Sequence, residues 1–264
     1  HLRPVSKSAV QALGTAVAAL ATTYEGELEK WQPQSEPREV ALITVGVDGA
    51  HLNTRRDGWR QSMAGTLALH DADGERLETL YAGGGPGESP PEGKSKFFER
   101  MDLLLERVRQ RYPQARVTGL SDGAVDLQNY LAGRCEEHLL DFHHAAEYLS
   151  AASIAFSAGG KAEDAEPKTW AEIQRAILRD KPGGALEVLG AISRRLEGKE
   201  EAADPGAAAL PKLKKAQRAE LERVKTYWLN HITVMDYAGW QQRNQPIGSG
   251  VTEAPVTEAP VVTG

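Results

Sequence analysis

Apolar and polar residues alternate along this chain with two periods, and each change of period marks a new element. SKSAVQALGTAVAALATTYEGELEKW is Ser-capped and rich in Ala, Leu and Glu, which predicts an opening helix. WQPQSEPRE breaks it with two prolines. REVALITVGVDGAHL is an apolar β-rich run ending in Asp-Gly, and predicts a central strand. GWRQSMAGTLALHDADGERLETLYAGG holds two more strands joined by the hairpin signal DADG. GGGPGESPPEG is too dense in Gly and Pro for anything but a loop. In KSKFFERMDLLLERVRQRYP, residues Phe97, Met101, Leu104, Leu105, Val108 and Tyr112 share one helical face, and Pro113 ends it. ARVTGLSDGA predicts a strand running into Asp-Gly, VDLQNYLAGR a short helix, and EEHLLDFHHAAEYL a strand passing directly into a helix. Beyond Ser150 the strand signal stops. KTWAEIQRAILRD, GALEVLGAISRRLEG and LPKLKKAQRAELERVKTYWLNHI are helical, separated by Gly-, Pro- and Glu-rich joints.

Three strands able to pair as an antiparallel meander, followed by helix–strand crossovers, describe an α/β, RNase H-like mixed sheet. The later helices are expected as an all-α insertion docked on it. The expected domains are a helical lead at 1–38, the first part of the core at 39–150, the insertion at 151–245, and a final segment with a VTEAP-repeat tail at 246–264.

Bulk properties narrow the class. The 264 residues are 41% hydrophobic and 26% charged, ordinary for a globular protein with a buried core. No apolar run approaches the roughly 20 residues a membrane helix needs. AVAALATTY lacks a basic flank and is not expected to be a signal peptide. The single cysteine, Cys135, excludes an intramolecular disulfide and a cysteine-based zinc site, and fits a reducing cytosol. The chain starts at His1, which fits a fragment lacking its natural start. Net charge is −6, yet Pro211 to Arg243 carries seven basic residues against three acidic ones. That local excess suits phosphate contacts or a solvated helix face.

Two acidic residues share one context. Asp48 closes the predicted strand ITVGVDG and Asp122 closes VTGLSDG, so both carboxylates are expected at strand ends. On neighbouring strands they would repel unless hard divalent cations lay between them. Such a pair could hold two Mg²⁺ for phosphodiester chemistry. Asp-Gly is equally a good turn former at the end of a strand.

VGVDGAHL, GLSDGAV, LLDFHHAAEYL and PIGSGVTEA, in that order, resemble the DDE transposases of bacterial insertion sequences, most of all the ISKra group. The likeness runs from about Val40 to Ala254. It implies an RNase H-like catalytic domain with a helical insertion before the last acidic residue. Asp48 matches the first catalytic Asp, Asp122 the second and Glu253 the terminal Glu, at spacings of 74 and 131 residues. Asp141 and His144 match the Asp-x-x-His pattern of insertion-bearing transposases, and would orient a carboxylate or a DNA phosphate. A hydrogen-bonded pair pinning the strand-to-helix junction explains them as well. The resemblance further implies two Mg²⁺ (or Mn²⁺) held by Asp48, Asp122 and Glu253. Water would nick a transposon end and the freed 3′-OH would attack target DNA. DNA, as transposon ends and target, is the expected partner, with Lys212, Lys214, Lys215, Arg218 and Arg243 as candidate contacts. A homo-oligomer assembled on DNA and a cytoplasmic, nucleoid-associated location follow, with no membrane partner.

The tail departs from the family pattern. After GSGVTEA the family continues as a helix, whereas here Pro255 follows Glu253 by two residues and VTEAP repeats without amphipathic period. The reading is a transposase truncated or frame-shifted at its end, with weak or no transposition. An RNase H-like nuclease without strand transfer, and a non-catalytic relic that binds DNA or a full-length transposase, are the alternatives. Other motifs fail. GESPPEGKS has five residues between Gly87 and Gly93 where a P-loop needs four, and Pro90 and Pro91 remove cradle amides. Gly248-Ser249-Gly250 follows no strand, so it is no nucleophile elbow. His231 reads as a lone surface or core histidine, and Tyr227, Trp228 and Trp240 read as core or as base-stacking rings.

Overall fold

The computed structural model describes residues 39–54, 58–84, 92–156, 170–198 and 212–248. The predicted opening helix and the VTEAP tail lie outside them. The described strands are β1 (Leu42–Thr54), β2 (Gly58–His70), β3 (Arg76–Gly84), β4 (Arg116–Ser121) and β5 (Glu137–Leu140). They line up in the order β3-β2-β1-β4-β5. β1–β2 and β2–β3 pair antiparallel, whereas β4–β5 pair parallel. A three-strand meander followed by parallel strands is the RNase H-like mixed sheet expected from the element order. The chain forms two compact units, one holding the described residues up to Val117 and the other Thr118 to Gly248, with the division inside β4.

In the first unit, Leu42 to Val47 are all buried, so β1 loses the two-residue alternation and is covered on both faces. β1 does not stop at Asp-Gly as expected. It runs to Thr54, pairing Asp48 with Ala64, Gly49 with Met63 and finally Thr54 with Gly58. The ladder to Trp59–Ser62 outweighs the local turn preference of Asp48-Gly49, and the reversal falls between Thr54 and Gly58. The DADG turn forms as predicted, with Asp71 Oδ1 accepting from Asp73 N at 3.0 Å and Glu75 N at 2.9 Å. Helix α1 (Glu92–Arg111) buries the predicted face, with Phe97, Met101 and Val108 at 0% exposure. Gly65 of β2 lacks the Cβ that would strike Met101 and Phe97, so the helix lies close on that strand.

The second unit continues from β4 through α2 (Val125–Ala132) and β5 into α3 (Phe142–Ser153). After a short 3-10 turn at Ile154–Phe156 come α4 (Trp170–Asp180), α5 (Gly184–Glu197), α6 (Lys215–His231) and α7 (Tyr237–Gln242). The hydrophobic pattern did not predict α7, which is only six residues long. Leu120 and Leu139 of the strands share one apolar cluster with Leu149, Val188, Ile192, Leu221, Val224 and Trp228 of the helices. The helices of this unit therefore do not stand apart from β4 and β5. Trp228 is fully buried and its Nε1–H donates to Ala185 O at 3.0 Å, tying α6 to the start of α5. Trp228 and Trp240 are core residues.

Candidate active site

The parallel strands β4 and β5 end side by side, and the most promising polar groups gather there. Open α/β sheets commonly place ligand sites at the carboxyl ends of such strands. Asp122 follows the last residue of β4 and is half-buried. Its Oδ1 accepts from Ala124 N at 2.8 Å, closing an Asx turn into α2. Gly123 between them has φ +91°, a backbone that disfavours any residue with a Cβ. Asp141 occupies the matching place after β5, and its backbone N–H donates to Ser121 O at 2.8 Å. Asp141 is wholly buried and caps α3, with Oδ1 accepting from His143 N at 2.6 Å.

The last turns of α6 close over this corner. Tyr227 Oη donates to Asp122 O at 3.3 Å. The two nitrogens of buried His231 face two carbonyls, Nδ1 toward Tyr227 O at 2.7 Å and Nε2 toward Gly123 O at 3.0 Å. A ring with one N–H satisfies one of these acceptors; a ring with two satisfies both. Arg223, Tyr227 and His231 recur every fourth residue, so they share one face of α6. Tyr148 of α3 joins that face: its ring lies parallel to Tyr227 at 3.6 Å, and the Arg223 guanidinium sits 4.9 Å from its centroid. The His231 ring lies 4.2 Å from that of Tyr227, tilted by 35°. The result is a stack, Arg223–Tyr148–Tyr227–His231, ending at the Asp122-Gly123 turn. Burial pushes the Tyr227 phenol up, reinforced by Tyr148 and by the carboxylates of Asp122, Asp141 and Glu147. Asp122 and Asp141 thus act on one phenol.

The chain returns to the same corner after α7. Ile247 O accepts from Phe142 N at 2.9 Å. A Cβ on Gly248 would lie 3.0 Å from the His143 ring and 3.9 Å from Asp141 Oδ2. PIGSG therefore begins against the cap of α3, next to the strand end that carries Asp122.

The remaining candidates are dispersed. Asp48 lies in the other compact unit, half-buried within β1, and its Oδ1 accepts from Gly49 N at 2.7 Å. Glu253 lies outside the described residues. His144 is half-buried in the first turn of α3, and the Asp141 carboxylate accepts from the amide of His143. Lys212, Lys214 and Lys215 are exposed around the start of α6. Arg218 donates to Leu196 O at 2.9 Å, and Arg243 pairs with Glu137 at 2.9 Å, so both have structural partners. Among the described residues no three His, Cys, Asp or Glu side chains form a cation site. Asp48 and Asp122, in separate compact units, are each the kind of oxygen donor a hard cation takes, and each has one carboxylate oxygen engaged among the described residues. Tyr148 carried no signal of its own in the sequence, Gly123 read there only as half of a strand-ending Asp-Gly, Tyr227 as a core or base-stacking ring and His231 as a lone surface or core histidine. The four-residue spacing of Arg223, Tyr227 and His231 was nonetheless there to be read.

No family model and no curated protein matches this chain. Among solved structures, the catalytic domain of the Mos1 mariner transposase aligns over 90% of this chain and 98% of its own. The identity is 11% and the TM-score 0.23. A likeness at that level carries no inference about chemistry. No helix among the described residues is long and apolar enough to cross a membrane.

Proposed function

We propose that this chain is a transposase-like enzyme of the DDE type, ISKra-like in its motifs, that cuts and joins DNA by metal-dependent phosphoryl transfer. The observation that carries the reading is the return of Ile247-Gly248 to the cap of α3, at the strand ends that bear Asp122 and Asp141. A terminal acidic ligand placed five residues beyond Gly248 would then begin its path at the second aspartate. The order of the sheet and the position of Asp122 just past β4 support the same reading.

Asp48, Asp122 and Glu253 would hold the ions, and Mg²⁺ or Mn²⁺ when bound would activate water or a 3′-OH and neutralise the leaving oxygen. The protein's own part would be to hold these carboxylates oriented toward the DNA backbone. Lys212, Lys214 and Lys215 would track phosphates. In this scheme 151–245 is the insertion between the second Asp and the Glu. One observation favours a purely structural Asp122: its Oδ1 already serves the turn to Ala124.

Asp122→Asn separates the two, because the amide oxygen still closes the turn but the charge is gone. A pre-nicked substrate carrying the element's own ends, with Mg²⁺ and target duplex, is expected to be joined by the wild type and not by Asp122→Asn or Asp48→Asn. Cleavage without joining would assign a nuclease. No Mg²⁺-dependent change of the DNA, with a folded wild type, would overturn the enzyme reading.

A further inference from the structure

We propose that Tyr227 and His231 are positioning residues that hold the Asp122-Gly123 turn in the conformation needed to bind the divalent cation; this rests on the metal-dependent reading above. Three observations meet at one dipeptide. The Tyr227 hydroxyl donates to the carbonyl of Asp122, and His231 Nε2 lies 3.0 Å from the carbonyl of Gly123. A Cβ at Gly123 would sit 2.8 Å from Leu140 Cδ1, 3.0 Å from His231 Nε2 and 3.1 Å from Tyr227 Oη, so an added methyl would require these neighbours to shift. The other ring nitrogen of His231, Nδ1, lies 2.7 Å from Tyr227 O.

The physical case concerns what Asp122 lacks without them. β4 ends at Ser121, whose carbonyl still accepts from Asp141 N at 2.8 Å, and beyond it the carbonyls of Asp122 and Gly123 face α6. The Asx bond to Ala124 fixes the side chain relative to its own turn, but it does not fix that turn relative to β5 or α3. The Tyr227 hydroxyl takes up the Asp122 carbonyl, and His231 in its Nε2–H tautomer takes up that of Gly123. They also keep those carbonyls from turning toward the carboxylate, where two more oxygens would compete for the space around Asp122. Tyr148 extends the restraint by stacking on Tyr227, which limits the swing of its ring, and Arg223 lies over Tyr148 in turn. Partners that orient a ligand in this way commonly change metal affinity by about 10–100-fold when removed.

The test is calorimetric Mn²⁺ binding to the full chain, without DNA, for wild type and for Asp122→Asn, Tyr227→Phe, His231→Gln and His231→Leu. Tyr227→Phe keeps the stacked ring and removes one hydroxyl, which makes it the mildest of the α6 changes for the fold. The expected order of weakening is Tyr227→Phe, a few-fold, then His231→Gln, then His231→Leu, about tenfold or more. Circular dichroism is expected to keep the wild-type spectrum for the first two. Amide exchange at Gly123 in metal-free protein is expected to quicken in all three α6 variants, a readout independent of any ion. Unchanged Mn²⁺ affinity in folded Tyr227→Phe and His231→Gln, with Asp122→Asn abolishing binding, would overturn this inference alone. Binding unaffected by Asp122→Asn would overturn the metal reading itself.

Discussion

Gly123→Ala is the most informative single-atom perturbation of the candidate site. The native φ of +91° places an alanine in a backbone region that costs roughly 1–2 kcal/mol. The new methyl would also meet Leu140 Cδ1 at 2.8 Å and His231 Nε2 at 3.0 Å. Overpacking against groups that must shift typically costs about 1–3 kcal/mol. Together these give a destabilisation of about 2–5 kcal/mol, a fall in unfolding midpoint of roughly 5–15 °C for a unit of this size. Gly198→Ala is the matched control. Its φ is +68° and nothing lies within 4 Å of the added atom, so only the backbone strain applies. Thermal unfolding of both variants, followed by tryptophan fluorescence, reports the second unit directly because Trp228 and Trp240 lie in its core. The excess of Gly123→Ala over Gly198→Ala measures how tightly α6 presses on the strand end. Equal midpoints for the two would refute the claim that Tyr227, His231 and Leu140 form a fixed wall around this turn.

Two further outcomes follow from the charged groups. Burial holds the His70 imidazole below its ordinary value, outweighing the bond to Gly74 O. The unfolded chain therefore takes up this proton first as the pH falls. Its contribution to stability is complete above about 6.5 and is lost as pH drops toward the folded value. Replacing His70 with Gln is expected to flatten the acid side of a denaturant-stability profile between pH 7 and 5, and an unchanged slope would contradict the assignment. Replacing Lys212, Lys214 and Lys215 together with Gln is expected to weaken duplex DNA binding and to reduce the slope of log K against log salt. The reduction is about 0.9 for each phosphate no longer neutralised, read by fluorescence anisotropy. A slope equal to that of wild type would assign these lysines to solvent.

The sheet was legible because strand periodicity and turn chemistry agreed almost everywhere: DADG, the α1 face from Phe97 to Val108, and the direct passage of HLLD into α3 all lie where the local pattern put them. Asp48 shows where that logic fails. Asp-Gly favours a turn, but thirteen paired positions between β1 and β2 outweigh one dipeptide preference, and the strand continues through it. Asp122 carries the same dipeptide and does end its strand. Local sequence is the same in the two cases, and what differs is whether a partner strand continues to offer hydrogen bonds. The elements around Asp122 were harder to foresee for a related reason. Tyr227 and His231 lie more than a hundred residues from the turn they hold. On α6 alone they look like an ordinary half-apolar stripe, and only the tertiary placement of α6 gives them Asp122 O and Gly123 O as acceptors. The same placement ties a helical segment to the candidate strand end. Beyond Ser121 the carbonyls of Asp122 and Gly123 face α6 instead of a strand, so the packed helix would supply the restraint on the turn. The stretch Gln245–Gly248 would use the corner formed in this way as the starting point for whatever follows it.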